Sequence, residues 1–356
     1  AGCSDRDPTE LEVARGDTNP LVFSDDYWSE NSVYWQPFFE TNYAALAQDS
    51  VYAYNGFSHD GSRSLRFTIA PQGSAMGAYT GGVFTAFGAR DLADYNALTF
   101  YARADGAITL DVAGYGNDNS GTSQYEAGRG GLALSRDWQF FILPVPAPTK
   151  LNSEAGMFTF AESLQDGWPD GYNIWIDEIR WARLSNIETF RPSLNPVSQH
   201  YFIGSTVNIT GTRTIFRIDG GFVPLDHSPN YFDYTSSDPS VAQVQNNTVV
   251  VVGEGQATVS ATVENQADLT LDPIDVLGTI VVTGYEEPTE SATPPTLPQS
   301  SVVSMFSDVY SDVLIDTWRA DWGGVTTQVQ DYAINGDNTK MYTNLNWVGV
   351  IFDTVY

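Results

Sequence analysis

Ser64-Leu65-Arg66-Phe67-Thr68-Ile69 alternates apolar and polar residues, so Leu65, Phe67 and Ile69 share one side of an extended chain. Leu98-Thr99-Phe100-Tyr101-Ala102-Arg103 repeats the pattern, as does Ile108-Thr109-Leu110-Asp111-Val112. A period of two with one apolar face is what a packed antiparallel sheet requires. Turn-rich text separates these runs, as in Gly114-Tyr115-Gly116-Asn117-Asp118-Asn119-Ser120-Gly121. Read outward, the same rhythm extends from Leu21 to Leu184, the size and strand spacing of a β-sandwich of jelly-roll type. The expected fold class is all-β: tandem antiparallel β-sandwiches.

The 356 residues suggest two or three domains, and 42% hydrophobic residues suffice for real cores. Nine Trp, 19 Tyr and 19 Phe suit both strands and a surface that stacks on sugar rings. The formal charge is −28, from 44 acids against 16 bases. That field repels phosphate backbones and anionic lipid, which argues against nucleic acid as a partner. The acids are spread along the chain, as in a secreted protein kept soluble by charge. The single cysteine, Cys3, allows no intrachain disulfide, and no apolar run of 18 residues is present to span a bilayer.

Residues 1–20 read as an anchor and flexible tether, and 21–190 as the first sandwich. Residues 191–284 hold at least six short strands, with Asn246-Asn247 as a hairpin turn, in the size and rhythm of an Ig-like domain. Residues 285–300 form a Pro/Ser/Thr linker. Residues 301–356 begin a second sandwich that is cut short, the alternative being a small complete domain. Val22-Phe23-Ser24-Asp25-Asp26-Tyr27 echoes Met305-Phe306-Ser307-Asp308-Val309-Tyr310, each followed by Trp-containing loops, so two related modules around a spacer are expected.

Catalytic constellations are absent from the text. The three His (His59, His200, His227) lack metal spacing, and no Gly-x-Ser-x-Gly elbow occurs. Asp177-Glu178 would project to opposite faces of a strand and could not share one substrate. The expectation is a protein that is not an enzyme. For a ligand, alternation places Tyr101, Arg103, Asp111 and Tyr115 opposite the core residues Phe100, Leu110 and Val112. Loops add Trp28, Tyr34, Trp35, Tyr125 and Trp168, while Trp138, Trp175 and Trp181 are assigned to the core. Aromatic planes with Asp and Arg at hand are the chemistry that recognises an oligosaccharide. Ile176, Ile179 and Trp181 cannot share one face of a regular strand, so a bulge is expected near Asp177-Glu178. Such a bulge frees a carboxylate for a cation, and Asp25, Asp26, Asp60 and nearby carbonyls could complete the six to eight oxygens calcium takes. Pairing with an arginine or capping of a turn is the alternative use of Asp177.

Several stretches resemble known families. Ala1-Gly2-Cys3 with Ser4-Asp5-Arg6-Asp7 resembles the lipid-attachment and surface-export signal of Bacteroidota lipoproteins, which implies acylation of Cys3; a cloning scar is the alternative. Thr235-Ser236-Ser237-Asp238-Pro239-Ser240-Val241-Ala242 followed by Gly253-Glu254-Gly255-Gln256-Ala257-Thr258 resembles bacterial Ig-like group 2 domains, which implies a spacer. Ile174-Trp175-Ile176-Asp177-Glu178-Ile179-Arg180-Trp181, with Trp138 to Val145 upstream, resembles carbohydrate-binding modules of the galactose-binding-like type. That resemblance implies that Asp177 ligates a structural calcium, with no catalytic cofactor. Asp316 to Gly323 and Lys340 to Gly349 resemble modules appended to bacterial laminarinases, which implies β-1,3-glucan binding by Trp318, Trp322 and Trp347. Together these imply a monomeric surface glycan-binding lipoprotein of a Bacteroidota polysaccharide-utilisation system. It would be lipid-anchored on the bacterial outer membrane, with a polysaccharide ligand and an outer-membrane glycan transporter complex as partners. An adhesin or stalk protein is the alternative, and a sandwich-fold glycoside hydrolase the third.

Overall fold

The computed structural model describes residues 16–25, 32–38, 58–75, 77, 79–268 and 270–352. Among these, every long element is a strand and the helical elements are short 3-10 turns. The chain forms two compact units: residues 1–195, 209–234 and 261–278 make the first, and 196–208, 235–260 and 279–356 the second. The segment read as an Ig-like spacer contributes residues to both.

The first unit is a sandwich of two sheets. In the five-stranded sheet, β12 (Tyr172–Ala182) is central. It pairs with β1 (Leu21–Phe23), with β3 (Leu65–Ile69) and with β5 (Ala97–Ala104), and β10 (Gln139–Pro144) continues beyond β5. The eight-stranded sheet runs in the order β13 (Ile187–Ser193), β16 (Arg213–Ile218), β17 (Gly221–His227), β8 (Ala127–Arg129), β7 (Val112–Tyr115), β11 (Glu154–Ser163), β4 (Tyr79–Arg90) and β2 (Val33–Pro37). A small ribbon pairs β6 (Ile108–Leu110) with β9 (Leu132–Leu134).

Aromatic side chains join the sheets. Phe67 stacks on Phe160 at 4.5 Å, Phe100 meets Phe158 at 5.3 Å, and Tyr115 packs edge-on against Trp181 at 5.1 Å. Leu65, Phe67 and Ile69 are all fully buried, as their alternation requires. Pairing of β12 slips between Asp177 and Arg180, and Glu178 adopts a φ of +50°. This is the bulge demanded by Ile176, Ile179 and Trp181, all of which are buried.

In the second unit, β14 (Val197–Phe202) runs parallel to β23 (Ile280–Tyr285), which pairs antiparallel with β21 (Gly255–Val263). β18 (Asp233–Ser236) ends that sheet, while β22 (Ile274–Asp275), which belongs to the first unit, pairs with Thr262 and Val263 at the end of β21, which belong to that unit as well. A three-stranded sheet has the order β15 (Thr206–Asn208), β20 (Thr248–Val251), β19 (Ala242–Gln245). Asn246 and Asn247, at φ +44° and +69°, make the two-residue turn between β19 and β20. The hairpin of β24 (Gln328–Ile334) and β25 (Asp337–Thr343) turns the same way on Asn335-Gly336.

Candidate functional site

The outer face of the eight-stranded sheet is built from a row of residues in register. Gln36 pairs with Val83, Val83 with Thr159, Thr159 with Gly114, Gly114 with Gly128, and Gly128 with Asp226. Side chains in one register row point to one face. Accordingly, the Thr85 hydroxyl donates to Gln36 Oε1 at 3.1 Å, and Tyr34 packs on Phe87 at 4.7 Å. Phe87 is 64% exposed, whereas Val83 and Thr85 are buried. The row therefore opens at two places: the Tyr34–Phe87 pair, and a shallow depression of about 400 Å³ over β7, β8, β11 and β17.

Small residues make the floor of that depression. A Cβ on Gly114 would stand 3.1 Å from Gly128 Cα and closer still to the Ala127 carbonyl oxygen, so β7 and β8 meet only because position 114 is glycine. Asn117, Glu126, Asp226 and Ser228 supply amide, carboxylate and hydroxyl groups around it, with Thr159 in the floor. Asp226 accepts from the Arg213 guanidinium, its Oδ2 lying 2.9 Å from Nη2, which fixes the carboxylate in orientation. Burial holds the His227 imidazole at about 4, so it is neutral at physiological pH. Its Nδ1 lies 2.9 Å from the Ser228 carbonyl, which can only accept, so Nδ1 carries the hydrogen and Nε2 faces the Thr214 hydroxyl as acceptor.

The nearby carboxyls differ sharply. Burial raises Glu126, with the Asp118 charge adding to the rise against a Ser123 hydrogen bond. Burial also works against ionisation of Asp118, but hydrogen bonds from Ser120, Ser123 and Thr122 outweigh it and hold that carboxyl below its usual range. Glu154, buried at the start of β11, is pushed up to about 8 by burial and by the Asp118 charge.

The residues selected from sequence are not brought to one face. Tyr101 and Arg103 lie on the outer side of the five-stranded sheet, where the His59 ring stacks on Tyr101 at 3.4 Å and the Arg103 guanidinium sits 5.4 Å from the Trp175 ring centre. Tyr115 is 1% exposed and donates its hydroxyl to the Pro144 carbonyl at 2.6 Å, so it belongs to the core. The reason is a bend at Asp111, which separates β6 from β7 and reverses the alternation: Ala113 and Tyr115 turn inward and Val112 outward. Asp111 itself accepts from the Ser163 backbone N–H at 2.9 Å. Trp35 is half-buried and turned toward the core, packed on Phe84 at 4.8 Å and Phe67 at 5.3 Å. Gly82 makes room for it, since a Cβ there would lie 2.6 Å from Trp35 Cζ2.

Tyr34 does lie on the outer face described above. Tyr125 packs on Tyr231, and Trp168 leans on Tyr172. In the second unit Trp322 is 57% exposed and stacks on Trp347 at 5.5 Å, with planes 12° apart. Trp318 instead packs edge-on against Phe306, with Lys340 Nζ 4.9 Å from its ring. Of the residues assigned to the core, Trp181 faces inward, Trp175 is buried on the outer side between Arg66 and Arg103 in register, and Trp138 is half-buried. Cys3 and Trp28 lie outside the described residues, as does Asp26.

The three carboxylates expected to hold calcium are used differently. Asp177, fully buried in the bulge, accepts the backbone N–H of His59 at 2.7 Å and of Glu178 at 2.8 Å, with the Asp60 N–H at 3.4 Å. Asp25 accepts from Ser62 and Arg63 N–H, and Asp60 from Gly61 N–H. Among the described residues no three His, Cys, Asp or Glu side chains converge as a metal site. In this arrangement all three carboxylates act as acceptors of backbone N–H groups. Asn117 and Glu126 escaped sequence reasoning because they lie in the connection between β7 and β8, and Thr159 and Asp226 because each is a single polar position within a longer strand, β11 or β17.

No family model matches the chain, and no curated protein matches it. Among solved structures it is similar to a family 30 carbohydrate-binding module, at 15% identity and a TM-score of 0.29, over 38% of this chain and 74% of that one. It is similar to the family 11 carbohydrate-binding module from Clostridium thermocellum in complex with a β-1,3-1,4-mixed-linked tetrasaccharide, at 12% identity and a TM-score of 0.29, over 48% and 98% of the two chains. A β-1,2-glucanase from Parabacteroides distasonis matches at 13% identity and a TM-score of 0.29, over 78% of this chain and 40% of that one. Likenesses this distant assign the chain to no family.

Proposed function

We propose that the chain is a non-catalytic polysaccharide-binding protein whose first unit receives a neutral glycan on the outer face of its eight-stranded sheet. The observation that carries this reading is the register row from Gln36 to Asp226. It crosses six strands, about 24 Å at the usual ~4.8 Å spacing, and since Val83 within it is buried, sugar rings would be taken at its two open places. The aromatic pair Tyr34–Phe87 lies beside one end of the row, and amide, hydroxyl and carboxylate groups around a glycine floor lie at the other. Rings for the apolar face of a sugar and fixed polar groups for its hydroxyls are the two requirements of such a ligand.

The finer reading is a β-glucan, laminarin first, captured at a bacterial cell surface by a protein acylated on Cys3; its support is the sequence resemblances alone. Native affinity electrophoresis tests it. Laminarin in the gel is expected to retard the protein, and Thr159→Trp, which fills the floor of the depression, should weaken retardation about 10-fold or more at an unchanged unfolding midpoint. Absence of retardation by laminarin, mixed-linkage glucan, xylan and galactomannan alike would overturn the reading.

A glycoside hydrolase has one observation in its favour, the opposed shifts of Glu154 and Asp118, a split that acid–base pairs exploit. Glu154 is only 8% exposed and does not line the depression, so a substrate would not reach it. Release of reducing sugar from laminarin would revive that reading.

A further inference from the structure

The second unit contains a cavity of about 670 Å³ that none of the residues selected from sequence lines. We propose that this cavity is a second, independent binding site for a neutral oligosaccharide; the choice of ligand class rests on the glycan-binding reading above.

Parallel pairing of β14 with β23 sets His200 opposite Thr283 and Phe202 opposite Tyr285, which brings the three rings of His200, Phe202 and Tyr285 to one face. The His200 and Tyr285 rings lie with planes 13° apart and centres 5.3 Å apart, and Tyr285 Oη and His200 Nδ1 are 2.7 Å apart in a hydrogen bond. That bond fixes two flat rings relative to each other before any ligand arrives, and Tyr285 keeps 44% of its surface open. A platform held in place in the free protein binds at lower entropic cost than one ordered by its ligand.

The polar lining includes Gln199, Ser205, Thr343 and Asn344, all neutral hydrogen-bonding groups, with the phenols of Tyr201 and Tyr342 beside them. Among the described residues around the cavity there is no Asp, Glu, Lys or Arg, in a chain that carries 44 acids and 16 bases overall. An ion entering would leave its hydration for no carboxylate, ammonium or guanidinium counter-charge, whereas a purely apolar ligand would strip water from the polar side chains without replacing it. A molecule with apolar ring faces and a rim of hydroxyls satisfies both parts of the lining. The volume lies within the range of small-ligand sites.

Titration calorimetry of the full chain with laminarihexaose, cellohexaose and a mixed-linkage tetrasaccharide separates this proposal from the previous one. At least one of these sugars is expected to bind with two sites per chain. Tyr285→Ala should remove one site and Thr159→Trp the other, each lowering affinity for the polymeric glycan about 10-fold or more as two-point attachment is lost. Tyr285→Phe keeps the ring and loses the bond to His200; it should retain both sites with weaker binding at one, which guards against a folding defect in the Ala variant. Single-site binding abolished by Tyr285→Ala and untouched by Thr159→Trp supports the second site and overturns the first. Single-site binding abolished by Thr159→Trp and untouched by Tyr285→Ala overturns the second site alone. No heat with any sugar, and no retardation by any polysaccharide, overturns both.

Discussion

Glu154→Gln is expected to raise the unfolding midpoint at pH 8 by on the order of 10 °C and to leave it nearly unchanged at pH 4. Burial, with the Asp118 charge adding, lifts the Glu154 carboxyl from 4.5 to about 8. Between those values the folded chain keeps a proton that the unfolded chain has released. Stability therefore falls as pH rises across that window, by about 1.4 kcal/mol per unit and about 4–5 kcal/mol in all. Below the window both states are protonated and Gln is a near-isostere. The quantity to measure is the difference between variant and parent in denaturant unfolding across pH 4 to 9, because Glu126, Glu162, Asp177 and Glu264 are also raised by burial and give the parent a slope of their own. A difference that stays constant with pH would show that Glu154 is ionised in the folded chain.

Asp177→Ala should cost about 2–4 kcal/mol, because it removes the side-chain acceptor of the His59 and Glu178 backbone N–H groups. Burial raises this carboxyl, while the N–H groups of His59, Glu178 and Asp60 pull the other way and the Glu178 charge adds to the rise. Burial outweighs these donors, so the carboxyl stands above its usual range. Asp177→Asn keeps one acceptor oxygen and turns an amide N–H₂ toward remaining donors, so a smaller but definite loss is expected. Faster hydrogen exchange at the His59 and Glu178 amides, with the rest of β12 protected, would locate the damage. Unchanged exchange there would sink the anchoring role.

The strands were legible wherever one alternation served one sheet. Leu65-Phe67-Ile69 and the forced bulge after Ile176 are such cases, because burial on one face leaves the sequence no second solution. Ile108 to Val112 reads as a single strand for the same reason and is not one, since Asp111 bends the chain and hands its two halves to different sheets. Alternation cannot report a bend that preserves the apolar count while exchanging the faces. Trp35 looked like a loop platform because nothing in its own neighbourhood announces Gly82, which makes the space beneath it from another strand. The depression was invisible for a larger reason. Its walls come from positions near 117, 126, 159 and 226, and only the pairing of β8 with β17 brings them together.

That pairing also dictates an order of events during synthesis. A chain leaving the ribosome from its first residue can close the five-stranded sheet once Ala182 has emerged. The eight-stranded sheet must wait for His227, and the first unit's last residues end at 278. β14 waits in turn for its parallel partner, roughly 80 residues later. Until β17 has emerged, β8 presents an unpaired edge to every other nascent chain nearby. A fragment cut at residue 190, where the sequence alone places the end of the first sandwich, keeps that edge bare permanently.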